Sequence, residues 1–276
     1  MFALNQDDLK KYRVDGIVHL KGAFEEKWLS LLRQGLEKNM RMPSPRFEGR
    51  DLGGGKGRYC EDFWIWSLIP EFETFVRSSP AANIAAQLMC AKRINLVMDN
   101  WFVREAGAKC GAPWHHDISY FDFEGTMGVI WIPLENQTNS IEFVRGSHLW
   151  NRLFMRVWFK DHQPAAPSQL VNGKLYEEPI DVNADRKKFD IVSFDMAEGD
   201  CLFFDIRTLH GSPATALPKQ SQSRYTLRLA SEDTIIQYRG DWAKAERRVF
   251  EEFGHRDGDE LNSDFFPALW PASGTG

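Results

Sequence analysis

The chain has 276 residues, 43% of them hydrophobic, 13% aromatic and 26% charged, the make-up of a folded globule with a sizeable core rather than a disordered chain. Lys and Arg number 34 against 39 Asp and Glu, a net charge of −5 interspersed along the chain, which argues against nucleic acid or an anionic membrane as the main partner. Apolar runs such as residues 128–134 fall far short of the roughly 20 residues that span a bilayer.

Residues 1–11 are acidic and amphipathic, unlike a secretory leader. The cysteines Cys60, Cys90, Cys110 and Cys201 stand too far apart for a zinc knuckle or redox pair, and the expected location is the reducing cytoplasm. No repeat or linker divides the sequence, so one domain is expected over residues 1–276.

The first 92 residues read as mainly helical. Asn5-Gln6-Asp7-Asp8 caps a short helix, Asp15-Gly16 makes a turn, and Ile17-Val18-His19-Leu20 is a strand. Residues 24–40 place Trp28, Leu31, Leu32 and Leu36 at helical spacing. Residues 41–59, with Pro43, Pro45 and a glycine run at 53–57, read as a mobile loop. The aromatic stretch 59–66 reads as core or pocket wall, and Ser79-Pro80 opens a helix running to about Met89.

From residue 93 to about 235 the pattern changes to short β-rich runs at 94–103, 128–134, 140–144, 191–194, 201–205 and 225–229, separated by turn signals. Helices followed by many spaced strands predict a mainly β protein with flanking helices, a jelly roll with the helices packed outside it. A closing helix over 241–253 and an irregular tail complete residues 236–276. The segment 151–188 interrupts the roll and is long for a loop inside a compact domain, so it is expected to contribute to a substrate entrance.

The chemistry concentrates in Pro113-Trp114-His115-His116-Asp117. On a strand, His115 and Asp117 would share one face, and a distant histidine would complete a 2-His-1-carboxylate face, the set that leaves positions open on non-haem Fe(II). His210, in Leu209-His210-Gly211-Ser212, ends a strand in the second half of the roll and is the candidate for that histidine; on spacing alone, His115 and Asp117 fit equally a buried hydrogen-bonded pair or a surface position. His116 would point to the opposite face and take a packing role. His148 reads as structural, and His19, His162 and His255 as ordinary packing or surface residues.

An ordered series of motifs extends this constellation over most of the chain. It runs from Tyr12-Arg13-Val14-Asp15-Gly16-Ile17-Val18 and Trp101-Phe102-Val103-Arg104-Glu105-Ala106-Gly107 through Trp114-His115-His116-Asp117 and Val129-Ile130-Trp131-Ile132-Pro133-Leu134. It continues with Ile141-Glu142-Phe143-Val144-Arg145-Gly146-Ser147-His148 and Gly199-Asp200, and ends at Leu209-His210-Gly211-Ser212-Pro213. The series resembles the phytanoyl-CoA dioxygenase family of iron- and 2-oxoglutarate-dependent oxygenases, which implies a jelly-roll, cupin-like double-stranded β-helix core.

The resemblance implies Fe(II) held by His115, Asp117 and His210, with 2-oxoglutarate as cosubstrate and O2 as oxidant. Succinate and CO2 would be the co-products of hydroxylation, or another oxidation, of a small or medium-sized organic molecule. It further implies an arginine for the far carboxylate of 2-oxoglutarate. Arg224 fits that role, although it stands 14 residues after His210, about three more than is common, and Arg228 on the same face is a second candidate. Thr226 lies on the same strand face as Arg224 and is expected to add a hydroxyl contact, while Ser212 and Trp131 match cosubstrate-contacting positions, as Asn100 does more weakly. Arg104 and Tyr120 are the expected substrate contacts, Arg104 as an anchor for an acidic group. Asp117 favours hydroxylation over halogenation, since halogenating relatives carry a small residue there. Two alternatives remain at this level: a cupin-type metalloenzyme that does without 2-oxoglutarate, and a non-catalytic ligand-binding relative. Substrate identity and oligomeric state leave no motif.

Overall fold

The structure is a computed structural model and describes residues 2–50, 57–108, 111–138, 141–159, 161–212 and 218–271. Cys110, Pro213 and residues 53–56 of the glycine run lie outside these.

Helix α1 (Gln6–Asp15) starts at Asn5, whose side chain accepts from the Asp8 amide while the Asp8 carboxylate accepts from the Asn5 amide. It ends at Gly16, where φ is 75° and a Cβ would sit 2.3 Å from Nδ1 of His148, so two independent constraints require glycine. Strand β1 (Ile17–Leu20) follows, then helix α2 (Glu26–Arg41), which buries Leu29, Leu32 and Leu36 at the spacing expected of one face.

The expected loop at 41–59 contains a strand. β2 (Glu48–Arg50) pairs antiparallel with β3 (Tyr59–Phe63), and the sequence hid it because Glu48, Gly49 and Arg50 carry no strand pattern. Helix α3 (Pro70–Ser78) also went unforeseen. It is nine residues long with no side-chain cap, and burial of Phe72 and Phe75 holds it, the Phe72 ring stacking on Tyr225 at 4.8 Å. Helix α4 (Ala81–Met89) matches its expected bounds.

The roll comprises β4 (Ile94–Arg104), β5 (Met127–Pro133), β6 (Glu142–Val144), β7 (Ile191–Ser193), β8 (Cys201–Asp205), β9 (His210–Gly211) and β10 (Gln222–Ser231). The large sheet has the order β1-β8-β5-β10-β4-β3-β2, with Ala268–Trp270 also paired to β4, and β7-β6-β9 forms a small sheet. The expected closing helix is shorter and split: a 3-10 turn (Asp241–Ala243) precedes helix α5 (Lys244–Glu251).

Strand alternation sorts the large sheet into two faces. Ile130 and Ile132 of β5, Phe203 of β8, and Tyr225 and Leu227 of β10 pack in one core with the helices. Val129, Trp131, Leu202 and Phe204 face the other core, inside the roll. On β10 the same parity sends Arg224, Thr226 and Arg228 to the inner face, where they line a cavity. Strand β4 changes parity midway. Arg228 pairs with Met98 but Leu229 with Leu96, so Val97 is an extra residue in the ladder. That bulge lets Leu96 and Trp101 share the helix-side core while Met98 and Phe102 line the cavity.

Candidate active site

The inner face of the large sheet, the small sheet, the 156–159 segment and α5 line a cavity of about 560 Å³. His115 reaches it without lying on a regular strand. Its backbone makes an isolated antiparallel bridge with His210, N to O at 2.9 Å and 2.8 Å in the two directions. Asp117 opens a 3-10 turn (Asp117–Tyr120). The expectation that strand alternation puts His115 and Asp117 on one face is therefore corrected. The bridge to His210 and the tight turn bring the three side chains together.

His115, Asp117 and His210 are all buried, and one ligand atom from each lies within 4.8 Å of the others. His115 Nδ1 is 2.7 Å from the Pro113 carbonyl and His210 Nδ1 is 2.9 Å from the Thr208 carbonyl. A carbonyl only accepts, so both Nδ1 atoms carry the proton and both Nε2 lone pairs are free. Those Nε2 atoms stand 3.3 and 3.5 Å from Oδ1 of Asp117. Two neutral imidazoles and one carboxylate oxygen converging on a buried point are the donor chemistry of a divalent iron site. Burial depresses the His210 pKa to about 3, keeping the imidazole unprotonated at working pH.

The second Asp117 oxygen, Oδ2, accepts from Arg228 Nε at 3.0 Å and Nη2 at 2.9 Å. Burial alone would raise the Asp117 pKa, but Arg228 and the two histidines override it and hold the carboxylate far below its usual range. Arg228 Nη1 donates to Asn100 Oδ1 and, at 2.9 Å, to Thr226 Oγ1. Asn100 is thus engaged with Arg228 and Thr226 and is not among the cavity-lining residues, whereas Thr226 is.

Arg224 lies across the cavity among three rings, Tyr59 at 5.8 Å, Phe102 at 5.2 Å and Trp131 at 5.9 Å. Its hydrogen bond is a 3.3 Å contact from Nη2 to the Tyr59 hydroxyl. Ser212 Oγ accepts from the Ala112 amide at 2.8 Å and lines the same cavity. Tyr120 stands edge-on to His115 with ring centroids 5.5 Å apart and donates its hydroxyl to the Val157 carbonyl at 2.6 Å. Arg104 is outside this assembly. At the end of β4 it donates to the Ala108 carbonyl at 3.1 Å and is not among the cavity-lining residues described, where the expected anchor would stand.

The 151–188 segment does reach the site. Val157, Trp158 and Phe159 line the cavity, and the Phe159 ring lies 5.0 Å from His115. His116 points away, as expected, and its Nε2 accepts from the Phe154 amide at 3.0 Å. His19 packs through a 2.8 Å contact to Asp200, and His255 through one to Ser263.

Several site residues escaped the sequence reading. Ser147 Oγ donates to the Val144 carbonyl and accepts from the Leu209 amide, tying the turn after β6 to the residue before His210. Glu61, Arg156 and Glu246 also line the cavity. The alternation Tyr59, Glu61, Phe63 could have found the first. Nothing local signals that α5 folds over the site.

Residues 12–220 match the family described as "Phytanoyl-CoA dioxygenase (PhyH)". The chain belongs to the PhyH family. The matched stretch contains His115, Asp117 and His210, and membership makes the protein a non-haem iron, 2-oxoglutarate-dependent dioxygenase. Solved structures similar to this PhyH chain include SnoK, a "non-heme alpha ketoglutarate dependent carbocyclase" from nogalamycin biosynthesis. It has a TM-score of 0.73 and 18% identity, over 96% of each chain. The epimerase SnoN, solved with Fe3+, alpha ketoglutarate and nogalamycin RO, has a TM-score of 0.72 and 18% identity, over 96% of this chain and 98% of its own. EctD from S. alaskensis, solved with 2-oxoglutarate and 5-hydroxyectoine, has a TM-score of 0.62 and 13% identity, over 83% and 77%. These likenesses are of fold, and they identify the roll as the double-stranded β-helix. No curated protein matches the sequence. Among the described residues no helix is long and apolar enough to cross a membrane.

Proposed function

We propose that this PhyH dioxygenase oxidises a C–H bond of a medium-sized, largely apolar organic molecule in the cytoplasm, where Cys60, Cys90 and Cys201 stay reduced. The observation that carries the reading is the buried His115, Asp117 and His210 set facing a cavity whose other wall presents Arg224. His115 Nε2, His210 Nε2 and Asp117 Oδ1 would hold Fe(II). Iron and 2-oxoglutarate together supply the activation of O2 when bound.

The protein's own part is orientation and exclusion of water. Pro113 and Thr208 carbonyls fix the imidazole tautomers, and Arg228 turns Asp117 so that one oxygen faces the histidines. Arg224 is the better clamp for the far carboxylate of 2-oxoglutarate. Nε and Nη2 of Arg228 are committed to Asp117 and its Nη1 to Asn100 and Thr226, whereas Arg224 makes a long bond to the Tyr59 hydroxyl. Ser212 and Thr226 can add hydroxyl contacts, and Trp131 walls the cosubstrate. Tyr120, Phe121, Trp158 and Phe159 make the apolar seat for substrate.

The test is anaerobic titration of Fe(II) and 2-oxoglutarate into apo protein, following the weak visible metal-to-ligand band. A band in wild type that weakens in Arg224→Ala supports the assignment. An iron-loaded wild type without the band rejects it.

A further inference from the structure

Arg156 is the feature of the cavity that metal and cosubstrate leave unexplained. Its guanidinium carbon lies 4.3 Å from the Trp158 ring centroid and 4.7 Å from that of Tyr120. With aromatic rings against it, the group is left to bind through its edge N–H donors. Nη1 donates to the Trp242 carbonyl at 2.9 Å and to Glu246 Oε2 at 2.8 Å. Nε is buried without an acceptor, and Nη2 makes no hydrogen bond, among the described residues. The Nε–Nη2 edge is the fork that matches a carboxylate bidentately. A buried N–H without an acceptor is unfavourable, and a ligand oxygen would satisfy it.

The charges lining the cavity point to the same kind of ligand. Among the described residues, five arginines line it, Arg46, Arg50, Arg156, Arg224 and Arg228. Four carboxylate residues line it with them, Glu48, Glu61, Asp117 and Glu246. Fe(II) and the dianion of 2-oxoglutarate cancel, so the described lining carries one positive charge in excess, which suits an anionic substrate. Glu61, pushed up to about 7 by burial, adds to that excess whenever it is protonated.

We propose that Arg156 is a specificity-determining residue that anchors a monoanionic substrate, an aromatic or extended apolar molecule bearing one carboxylate, through its Nε–Nη2 edge. The Tyr120 ring against the guanidinium lies 5.5 Å from the His115 ring, so the anchored molecule extends over Tyr120 and Phe159 toward the metal donors. The inference rests on the dioxygenase reading, since the Arg224 carboxylate site is assigned there to 2-oxoglutarate.

The experiment uses protein loaded anaerobically with Fe(II) and 2-oxoglutarate, so that Arg224 is occupied. Calorimetry then compares 2-naphthoate with methyl 2-naphthoate. The acid is expected to bind at least about tenfold more tightly than the ester, by roughly 1.4 kcal/mol. Arg156→Met should erase that preference, and Arg156→Lys, which lacks the fork, should keep only part of it. Equal binding of acid and ester by wild type overturns the inference without any variant having to fold. So does an acid preference that survives in Arg156→Met. The visible band recorded on the same samples separates the two readings. An intact band without acid preference sinks the anchor alone, and acid preference without the band sinks the oxygenase assignment alone.

Discussion

Arg228 grips one oxygen of Asp117, Oδ2, through both Nε and Nη2, and leaves Oδ1 facing the Nε2 atoms of His115 and His210. A carboxylate held in this way offers a metal one oxygen in a fixed direction, and the guanidinium keeps it ionised despite burial. Arg228→Met should therefore weaken Fe(II) binding about 10- to 100-fold, the usual cost of losing a partner that orients a ligand. Titration of Fe(II) into the apo variant measures this. An unchanged affinity would mean that Arg228 does not orient the metal-binding carboxylate.

Arg224, four residues earlier on the same strand face, should fail differently. Arg224→Lys keeps a charge but loses the planar fork, so the 2-oxoglutarate concentration giving half the visible band should rise about tenfold, with metal affinity unaltered. A loss of metal affinity in Arg224→Lys, or of 2-oxoglutarate affinity alone in Arg228→Met, would reverse the two assignments.

The contrast between these arginines marks how far the sequence could be read. Both were visible as inward residues of one strand, since Tyr225 and Leu227 alternate with them and pack on the helices. Which arginine was free was not visible, because that depends on Asp117, 111 residues away from Arg228. His115, Asp117 and His210 do come together in the structure, although by another route than the strand alternation expected of them. Residue types and order fix the donors, while a backbone bridge and a 3-10 turn fix their convergence. Helix α3 and strand β2 were missed because neither has a local signal as strong as the tertiary contact that holds it. Arg156 was hidden for the same reason: its surroundings include Tyr120 and, from α5, Glu246, both distant in sequence.

Ser147 offers a test of how the second histidine is held. Ser147→Ala removes the acceptor of the buried Leu209 amide and the donor to the Val144 carbonyl. Leaving that amide unsatisfied should cost about 1–3 kcal/mol of stability, seen as a lower urea midpoint with unchanged slope. Because Leu209 precedes His210, Fe(II) affinity should fall as well. A destabilised variant with wild-type metal affinity would show that the bridge between His115 and His210 is sufficient by itself.

Glu61 should make stability depend on pH in the direction opposite to an ordinary surface carboxylate. It is 3% exposed on β3, paired with Arg50 at 2.6 Å, with Glu48 on β2 and Arg224 and Arg228 on β10 as further charged neighbours. Burial outweighs the arginines and raises its pKa from 4.5 to about 7. Between those values the folded protein keeps a proton that the unfolded chain has released, so stability falls as pH rises through this window. The effect is fully present below about pH 4.5, where both states are protonated, and is lost above about pH 7, with a ceiling on the order of 3 kcal/mol. Glu61→Gln cannot ionise. Its stability relative to wild type should therefore rise by about 2–3 kcal/mol between pH 4.5 and 8, measured by urea unfolding of both proteins at each pH. Parallel pH profiles would show that Arg50 holds Glu61 ionised throughout, with no proton retained on folding.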